Sequence, residues 1–335
     1  MKRTSPTETK LLIAVWHPFA LWRPPRQMSE RVRQRWPEMR VVHLPTYERL
    51  KEELPDAQIF VGYSLRPEQF PWATRLQWIH STAAGVKQLM YPALQRSGIV
   101  VTNASGVHSI PMAEHILGML IAMARRFPDA FRNQRDARWA QQAIWDSAPH
   151  PRELRGQVLL LIGFGAVGQE VARLAQPIGM RIRAVTRSGH GDTRLAERIY
   201  PVSEMKQALS EADFIVLAAP ETPETFHMMG APQFQAMKKT AYFINVARGS
   251  LVDEGALVEA LEKRAIAGAA LDVAEEEPLP ERSPLWKLEN VFITPHLSAA
   301  SESLWERQTD LLLENLERWF GGRELLNRVD LERGY

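Results

Sequence analysis

Three side chains with complementary acid–base chemistry stand near the ends of segments that read as buried β-strands. They are Arg248, Glu277 and His296. A guanidinium holds a carboxylate in a forked geometry that lysine does not match, and an imidazole gives or takes a proton near neutral pH. A carboxylate beside that imidazole would fix its tautomer and favour its charged form. These residue types are therefore candidates for proton transfer to an anionic substrate.

The spacing of these residues leaves alternatives open. Glu277 is the last of three consecutive glutamates, and any member of Glu275–Glu277 could point towards the histidine. Arg248 could be a surface arginine, and His296 could be a histidine satisfied in the core. The other histidines, including His115 within a helical pattern, have no partner that the sequence identifies. We expect no metal site, because no His, Asp and Glu residues have metal-ligand spacing and the chain has no cysteine.

A glycine-rich turn predicts a dinucleotide site beside these candidates. The apolar run 158–162 leads into Gly163-Phe164-Gly165-Ala166-Val167-Gly168, a helical pattern follows, and 181–185 reads as a second strand. Strand, glycine turn, helix and strand in this order are the context in which a pyrophosphate binds at a helix N-terminus. A plain glycine-rich turn would not require that order.

The two features together predict a reaction class. In an open parallel sheet, ligands bind beyond the carboxyl ends of the strands, where Arg248, Glu277 and His296 would lie. Arg248 would hold the carboxylate of a 2-keto acid, and His296 would give a proton to the carbonyl oxygen as a hydride arrives. The chemistry that suits these residues is hydride transfer between a nicotinamide cofactor and a 2-keto acid.

The elements that position these residues read as an α/β fold. Short apolar segments alternate with helical patterns, so we expect two Rossmann-like or flavodoxin-like parallel-sheet domains with a cleft between them. Residues 1–105 plus 298–335 would form a discontinuous substrate-binding (catalytic) domain, and residues 106–297 a dinucleotide-binding Rossmann domain. The predicted strands are 11–16, 40–44, 58–62, 77–81, 99–102, 158–162, 181–185, 214–218, 242–246, 268–273 and 291–294.

Between the two sets of strands lies a helix that is apolar almost all round. It is predicted from Ser109 to about Arg126, and its composition favours burial between domains or subunits. Residues 131–148 contain Trp139 and Trp145 in a polar background and are predicted to form an arm or loop that packs on a partner. Residues 1–10 read as a polar tail.

Composition limits the partners. The chain has 335 residues, is 45% hydrophobic and 24% charged, and carries a net charge of +2. This balance is typical of globular proteins, and no large basic field indicates nucleic acid. No window is apolar enough for a membrane span, and the run 11–16 is too short for a signal peptide. We therefore expect a cytoplasmic protein with neither a nucleic acid nor a membrane partner.

The motifs together resemble those of the D-isomer-specific 2-hydroxyacid dehydrogenases, including glyoxylate and hydroxypyruvate reductases. The resemblance implies that Arg248, Glu277 and His296 form the catalytic trio, and it selects Glu277 because that residue directly precedes a proline. It also implies that Ala84 and Gly85 bind the substrate carboxylate through N–H groups, and that the long helix and arm build a homodimer. The matching segments, in family order over almost the whole chain, are 103–106, 113–115, 163–168, 220–225, 245–253, 271–278 and 294–296.

The resemblance further implies a set of cofactor contacts, with Asp272 against the nicotinamide carboxamide. NAD-specific members carry an acidic residue at the end of the second strand, where this chain has Thr186-Arg187-Ser188. An arginine there accommodates a 2′-phosphate, so we expect NADP as the preferred cofactor and NAD as a second candidate. The implied contacts are Gly163, Phe164, Gly165, Ala166, Val167, Gly168, Thr186, Arg187, Ser188, Ala219, Pro220, Thr225, Val246, Ala247, Asp272, His296 and Ser298.

The expected function is a D-2-hydroxyacid dehydrogenase that works mainly as an NADPH-dependent reductase of a small 2-keto acid. Glyoxylate, hydroxypyruvate and bulkier 2-keto acids all remain candidates. The chain departs from the family in one loop, where Gly85-Val86-Lys87 replaces a frequent Gly-x-Asp. Two alternatives remain, a dinucleotide-sensing protein similar to certain transcriptional corepressors and a phosphite-type oxidoreductase of the same family. Formate dehydrogenases carry an amide where Glu277 stands and are set aside.

Overall fold

The computed structural model describes residues 4–332, which fall into two compact units. The first unit combines the chain up to His108 with the chain from Ala300 onwards, and the second unit is the continuous stretch Ser109–Ala299. Each unit is built on its own parallel sheet. The prediction of two parallel-sheet α/β domains is confirmed.

The first unit holds five parallel strands in the order β2-β1-β3-β4-β5. Leu11 and Ile13 of β1 pack in one hydrophobic cluster, whereas Leu12 and Ala14 pack in another on the opposite face. Both faces of the sheet are covered, which explains why its strands read as unbroken apolar runs. The elements are β1 (Lys10–Ala14), α1 (Arg26–Arg35), β2 (Arg40–Leu44), α2 (Leu50–Glu53), β3 (Ile59–Gly62), β4 (Trp78–Ser81), α3 (Pro92–Gln95) and β5 (Val100–Thr102).

The second unit holds seven parallel strands in the order β12-β11-β10-β9-β6-β7-β8. Its helices are α4 (Ser109–Ala124), α5 (Phe127–Arg135), α6 (Gln141–Asp146), α7 (Ala166–Ala175), α8 (Met205–Glu211), α9 (Ala231–Ala236) and α10 (Glu254–Glu262). Its strands are β6 (Val158–Ile162), β7 (Arg181–Thr186), β8 (Arg198–Pro201), β9 (Phe214–Leu217), β10 (Tyr242–Asn245), β11 (Gly268–Leu271) and β12 (Val291–Ile293).

The order of the seven strands predicts where a ligand would bind in the second unit. The chain runs outwards from β6 in one direction through β7 and β8, then starts again on the other side of β6 with β9. Ligands of open α/β sheets bind beyond the carboxyl ends of the strands at such a reversal. The crevice therefore opens between the residues that follow β6 and those that follow β9.

The final helix, α11 (Leu304–Phe320), belongs to the first unit. Its Leu312, Leu316 and Trp319 are buried in the same cluster as Leu11 of β1 and Trp78 of β4. The rings of Trp319 and Trp78 stack with centroids 5.5 Å apart and an interplanar angle of 24°. Both ends of the chain thus build the first unit.

The arm differs from its prediction. The long helix ends at Ala124, Arg126 adopts a left-handed backbone with φ +60°, and residues predicted as an arm or loop form α5 and α6. Pro128 in the first turn favours a new helix start, and the Arg126 guanidinium donates to Asp129 at 2.6 Å and to Ser147 at 3.1 Å. These hydrogen bonds hold the bend between α4 and α5.

Three short elements, α2, α3 and β8, were not predicted, and one predicted strand starts earlier than expected. β8 pairs with β7 at the edge of its sheet and ends on Pro201. Proline has no N–H to donate to a neighbouring strand, so an edge position suits it. Lys10, predicted within a polar tail, is the buried first residue of β1, and its ammonium lies 2.9 Å from the Glu53 carboxylate. Residues 1–3 of that tail lie outside the described residues. Within residues 4–332, no helix combines the length and apolar character needed to cross a bilayer.

Candidate active site

A histidine–carboxylate pair lies beyond the carboxyl ends of β11 and β12. His296 Nδ1 lies 2.7 Å from Glu277 Oε2, and the other Glu277 oxygen accepts a hydrogen bond from the Ala274 N–H at 3.1 Å. A proton on Nδ1 satisfies this contact and leaves Nε2 to face a reactant. Both side chains remain partly exposed, at 43% for His296 and 37% for Glu277.

The structure separates the three consecutive glutamates by their partners. Glu275 pairs with His227 at 3.1 Å, and Glu276 pairs with Arg282 at 3.2 Å. Only Glu277 among them contacts His296 within the described chain. Spacing did not distinguish them, because consecutive residues in a loop point in directions that depend on the backbone turn.

A strained backbone and a buried carboxylate hold His296 in place. His296 has φ +53°, a left-handed conformation that costs a non-glycine residue about 1 kcal/mol or more. Its N–H donates to the Asp272 carbonyl at 2.9 Å. The Asp272 side chain is buried and accepts from the Thr294 hydroxyl at 2.6 Å, the Leu297 N–H at 2.8 Å and the Ser298 N–H at 2.9 Å. The hydrogen bonds to Asp272 therefore hold in place the segment 294–298, which contains His296.

The charge of Asp272 is stabilised by these donors. Burial alone would raise its pKa, but the hydrogen bonds from Ser298, Thr294 and Leu297 outweigh burial and bring the pKa below its usual value. The carboxylate that the resemblance places against the nicotinamide is thus ionised and surrounded by protein donors.

His115 joins this group although sequence reasoning gave it no role. Its Nε2 lies 3.0 Å from the Thr294 hydroxyl oxygen, while that hydroxyl donates to Asp272. Burial lowers the pKa of His115, with the nearby Asp272 carboxylate opposing the shift, so the ring is a neutral donor. His115 and Thr294 lie 179 positions apart, and no sequence pattern signals the contact.

Arg248 follows β10 and presents an exposed guanidinium. Its Nη1 donates to the neighbouring Ala247 carbonyl at 2.6 Å, and no carboxylate within residues 4–332 forms an ion pair with it. Gly249 explains its position, because a Cβ there would lie 1.9 Å from the Ala274 carbonyl oxygen. The turn after β10 therefore lies directly against the loop that leads to Glu277, and it leaves a cation available for an anionic ligand.

The glycine turn joins the ends of three strands. Gly163 has φ +96°, its N–H donates to the Val185 carbonyl of β7 at 3.0 Å, and a Cβ would lie 2.5 Å from the Ala218 carbonyl that follows β9. Only glycine fits this approach. Gly165 precedes the first turn of α7, where unpaired N–H groups and the helix dipole favour a phosphate. The residues present therefore fit a dinucleotide pyrophosphate.

The end of β7 carries hydroxyl and guanidinium groups and no carboxylate. Thr186 donates through its hydroxyl to the His190 carbonyl at 3.1 Å, and Arg187 and Ser188 are exposed. Arg187 also acts on the segment after β9. A hydrogen bond from Thr222 and, less strongly, the charge of Arg187 lower the pKa of Glu224.

The remaining predicted cofactor contacts also follow strands at this edge. After β9, the Thr225 hydroxyl donates to the Pro220 carbonyl at 2.8 Å and shapes the loop that begins at Ala219. After β10, Val246 and Ala247 are buried, and the Ala247 N–H donates to the Asn245 side chain at 3.0 Å. In the first unit, Ala84 and Gly85 lie in an exposed loop after β4.

Comparison with known proteins identifies the family. Residues 117–298, more than half of the chain, match the model of the D-isomer specific 2-hydroxyacid dehydrogenase NAD binding domain. The chain belongs to the D-isomer specific 2-hydroxyacid dehydrogenase family. Like the family, it is an NAD(P)-dependent oxidoreductase that acts on a CH–OH group.

Individual members of the family match over most of their length. The chain is 35% identical to a glyoxylate reductase of Korarchaeum cryptofilum over 298 residues, which are 86% of this chain and 87% of that protein. A D-isomer specific 2-hydroxyacid dehydrogenase from Xanthobacter autotrophicus, solved with NADPH and MES, superposes with a TM-score of 0.82 at 27% identity over 98% and 100% of the two chains. A glyoxylate/hydroxypyruvate reductase from Sinorhizobium meliloti, solved with NADP and malonate, superposes with a TM-score of 0.75 at 28% identity over 98% of each chain.

Proposed function

We propose that the protein reduces a small 2-keto acid to the 2-hydroxy acid with NADPH, and that His296 is the general acid. The observation that carries this proposal is the Glu277–His296 pair at 2.7 Å, on the same edge of the sheet as the exposed Arg248. A proton donor and an uncompensated cation at one edge of the sheet are the two groups that reduction of a 2-keto acid requires from the protein.

Each residue has a distinct task in this proposal. NADPH supplies the hydride that reduces the carbonyl carbon. Arg248 binds the substrate carboxylate through a forked pair of hydrogen bonds and orients the carbonyl. His296 donates the Nε2 proton to the carbonyl oxygen and becomes neutral, and it takes the proton back in the oxidation direction. Glu277 holds the imidazole tautomer and stabilises the charged ring before the transfer.

The choice of NADPH rests on the end of β7. Thr186, Arg187 and Ser188 offer hydrogen-bond donors and a positive charge where a carboxylate would repel a 2′-phosphate. The relatives from Xanthobacter autotrophicus and Sinorhizobium meliloti were solved with NADPH and with NADP, which supports the same preference.

The cofactor experiment compares NADPH with NADH in both catalysis and binding. We expect kcat/KM to be at least about tenfold higher with NADPH, since charge-assisted hydrogen bonds contribute about 1.5–3 kcal/mol. Arg187→Glu should reverse the order, and the dissociation constants from tryptophan fluorescence should follow the same pattern. A higher kcat/KM with NADH in the wild type would refute the NADPH preference.

The substrate proposal is a 2-keto acid of the size of glyoxylate or hydroxypyruvate. The name of the Korarchaeum cryptofilum relative and that of the Sinorhizobium meliloti reductase support this size. We propose that Ala84 and Gly85 bind the substrate carboxylate through their N–H groups. Turnover of a panel of 2-keto acids tests the proposal. Tight dinucleotide binding without oxidation of NADPH by any of them would instead identify a dinucleotide sensor.

A homodimer completes the proposed function. Three aromatic side chains of the arm, residues 131–148, and Phe127 at the start of α5 are exposed to solvent, and Trp139 is 95% exposed. Apolar surface of this extent on a soluble chain favours a protein partner, and a second copy of the chain is the commonest one. The four side chains are Phe127, Phe131, Trp139 and Trp145.

A further inference from the structure

The loop after β4 exposes backbone donors that have no acceptor. Ala84 and Gly85 are both exposed, and within residues 4–332 neither N–H forms a hydrogen bond. Successive unpaired N–H groups form a concave anion-binding surface when their carbonyl groups point the other way. The orientation of the carbonyl groups therefore decides whether this loop binds a carboxylate.

Three consecutive carbonyl groups of the loop are held by donors from elsewhere in the first unit. Gln308 Nε2 of α11 donates to the Thr82 carbonyl at 2.7 Å. The Ala104 N–H donates to the Ala83 carbonyl at 3.0 Å, and Asn103 Nδ2 donates to the Ala84 carbonyl at 2.7 Å. All three hydrogen bonds fix the carbonyl side of the loop and leave the N–H side exposed.

The buried side chain of Gln308 satisfies only one side of its amide. Its side chain is 1% exposed, and its amide oxygen is buried with no hydrogen-bond partner among residues 4–332. A buried, half-satisfied amide destabilises a folded protein relative to an apolar side chain of the same volume. Core packing therefore does not explain why an amide stands at position 308. Its hydrogen bond to the loop after β4 does explain it.

We propose that Gln308 is a positioning residue for the substrate carboxylate, acting with Asn103 through the carbonyl groups of Thr82 and Ala84. The proposal rests on the proposed function, in which the N–H groups of Ala84 and Gly85 bind that carboxylate. Gln308 does not touch the substrate. It sets the direction of the peptide groups that do, so its loss weakens carboxylate binding in the ground state and leaves proton transfer at His296 intact.

The test is Gln308→Met, which keeps the volume and removes the amide. We expect the KM for the 2-keto acid to rise about tenfold, with kcat within about threefold of the wild type. The dissociation constant of oxalate, a carboxylate that does not react, should rise in parallel when measured by calorimetry with saturating NADP. The affinity for NADPH should not change. The melting temperature should change little, because one unsatisfied buried oxygen is removed while the Thr82 carbonyl loses its donor.

Two further variants separate positioning from general damage. Asn103→Ala removes the second anchor and should raise the same KM and oxalate dissociation constant, so it tests the proposal even where Gln308→Met fails to fold. Asn315→Ala is the matched control on α11, because this buried amide bonds to Leu326 at 2.7 and 3.1 Å, away from the β4 loop. It should lower the melting temperature and leave KM within about twofold.

The outcomes distinguish this inference from the proposed function. Wild-type turnover with an unchanged KM and oxalate affinity in Gln308→Met would overturn the inference alone. A parallel loss of kcat, NADPH affinity and melting temperature would show a general structural role and would also overturn it. A wild-type protein that neither turns over 2-keto acids nor binds oxalate would overturn both.

Discussion

At the scale of single residues, Glu277 positions the ring of His296. The carboxylate lies 2.7 Å from Nδ1. A neutral amide in its place removes a charge-assisted hydrogen bond, so Glu277→Gln should lower kcat/KM for the 2-keto acid by at least about tenfold. The measurement is steady-state kcat/KM, with the affinity for NADPH as a check on the fold. Glu276→Gln, which alters the glutamate paired with Arg282, should leave kcat/KM unchanged. An unchanged kcat/KM in Glu277→Gln would contradict the pairing.

A second prediction concerns His80, which is fully buried in β4 and contacts the Thr102 hydroxyl at 2.9 Å. Burial lowers its pKa to about 4. The pKa of a histidine in an unfolded chain is about 6.5. Between pH 6.5 and pH 4, the unfolded state therefore binds a proton on His80 and the folded state does not. The free energy of unfolding should therefore fall by about 3 kcal/mol as the pH drops through this window.

Urea denaturation at several pH values measures this effect. His80→Asn places an uncharged amide near Thr102 and removes the titration, so its stability should depend less on pH between 4 and 6.5. His17→Asn changes an exposed histidine and should behave like the wild type. Identical pH dependence in His80→Asn and the wild type would show that His80 does not titrate in this window.

Residue types and strand ends were enough to predict the reaction class and the candidate residues of the second unit. They did not predict the contacts among those residues. Arg248 and His296 could be selected because each follows an apolar strand. The choice among Glu275, Glu276 and Glu277 required the backbone of the loop, or the resemblance to a family. The contact between His115 and Thr294 brings two distant segments together, and a single sequence has no local pattern that encodes it.

At the scale of elements, the turn after β10 and the loop after β11 depend on one close approach. A Cβ at Gly249 would lie 1.9 Å from the Ala274 carbonyl oxygen, so one of the two backbones must move. Gly249→Ala should destabilise the protein by about 1–3 kcal/mol and should lower kcat/KM by at least about tenfold, because Arg248 and Glu277 lie on the displaced segments.

A second glycine supplies the control for this prediction. Gly255 lies in α10, and a Cβ there would meet only the Asp253 carboxylate oxygen at 3.4 Å. Gly255→Ala should be neutral or should stabilise the protein by up to about 1 kcal/mol, with normal kinetics. Thermal melts and steady-state rates of both variants provide the comparison. Equal behaviour would mean that the close approach at Gly249 does not matter.

The predicted elements differ in how well the sequence specifies them. The central strands, such as β6 with its run Val158–Ile162, were located closely because strands covered on both faces read as short apolar runs. The helices α5 and α6 are nine and six residues long and bury no side chain, and so short a segment gives little helical periodicity to recognise. β8 is an edge strand of four residues that ends on a proline, so it is too short to show a clear strand pattern.

At the scale of the whole molecule, the arm is the surface that we propose for self-association. Trp139 is the most exposed of its aromatic side chains, and a charge placed there opposes burial at an interface. Trp139→Glu should therefore shift the protein from dimer towards monomer in sedimentation velocity experiments. Trp286→Glu, at an exposed tryptophan outside the arm, should leave the dimer intact. A wild-type monomer at micromolar concentration would refute the homodimer.

The discontinuity of the first unit has a consequence for synthesis on the ribosome. Residues up to His108 emerge first, yet the helix that covers Leu11 and Trp78 emerges only after the whole second unit, Ser109–Ala299. At roughly 5–20 residues per second, the delay is on the order of 10–40 s. During that time, Leu11 and Trp78 lack the cover that α11 gives them in the folded unit. Transiently exposed apolar surface of this kind makes a nascent chain prone to aggregation until the helix docks.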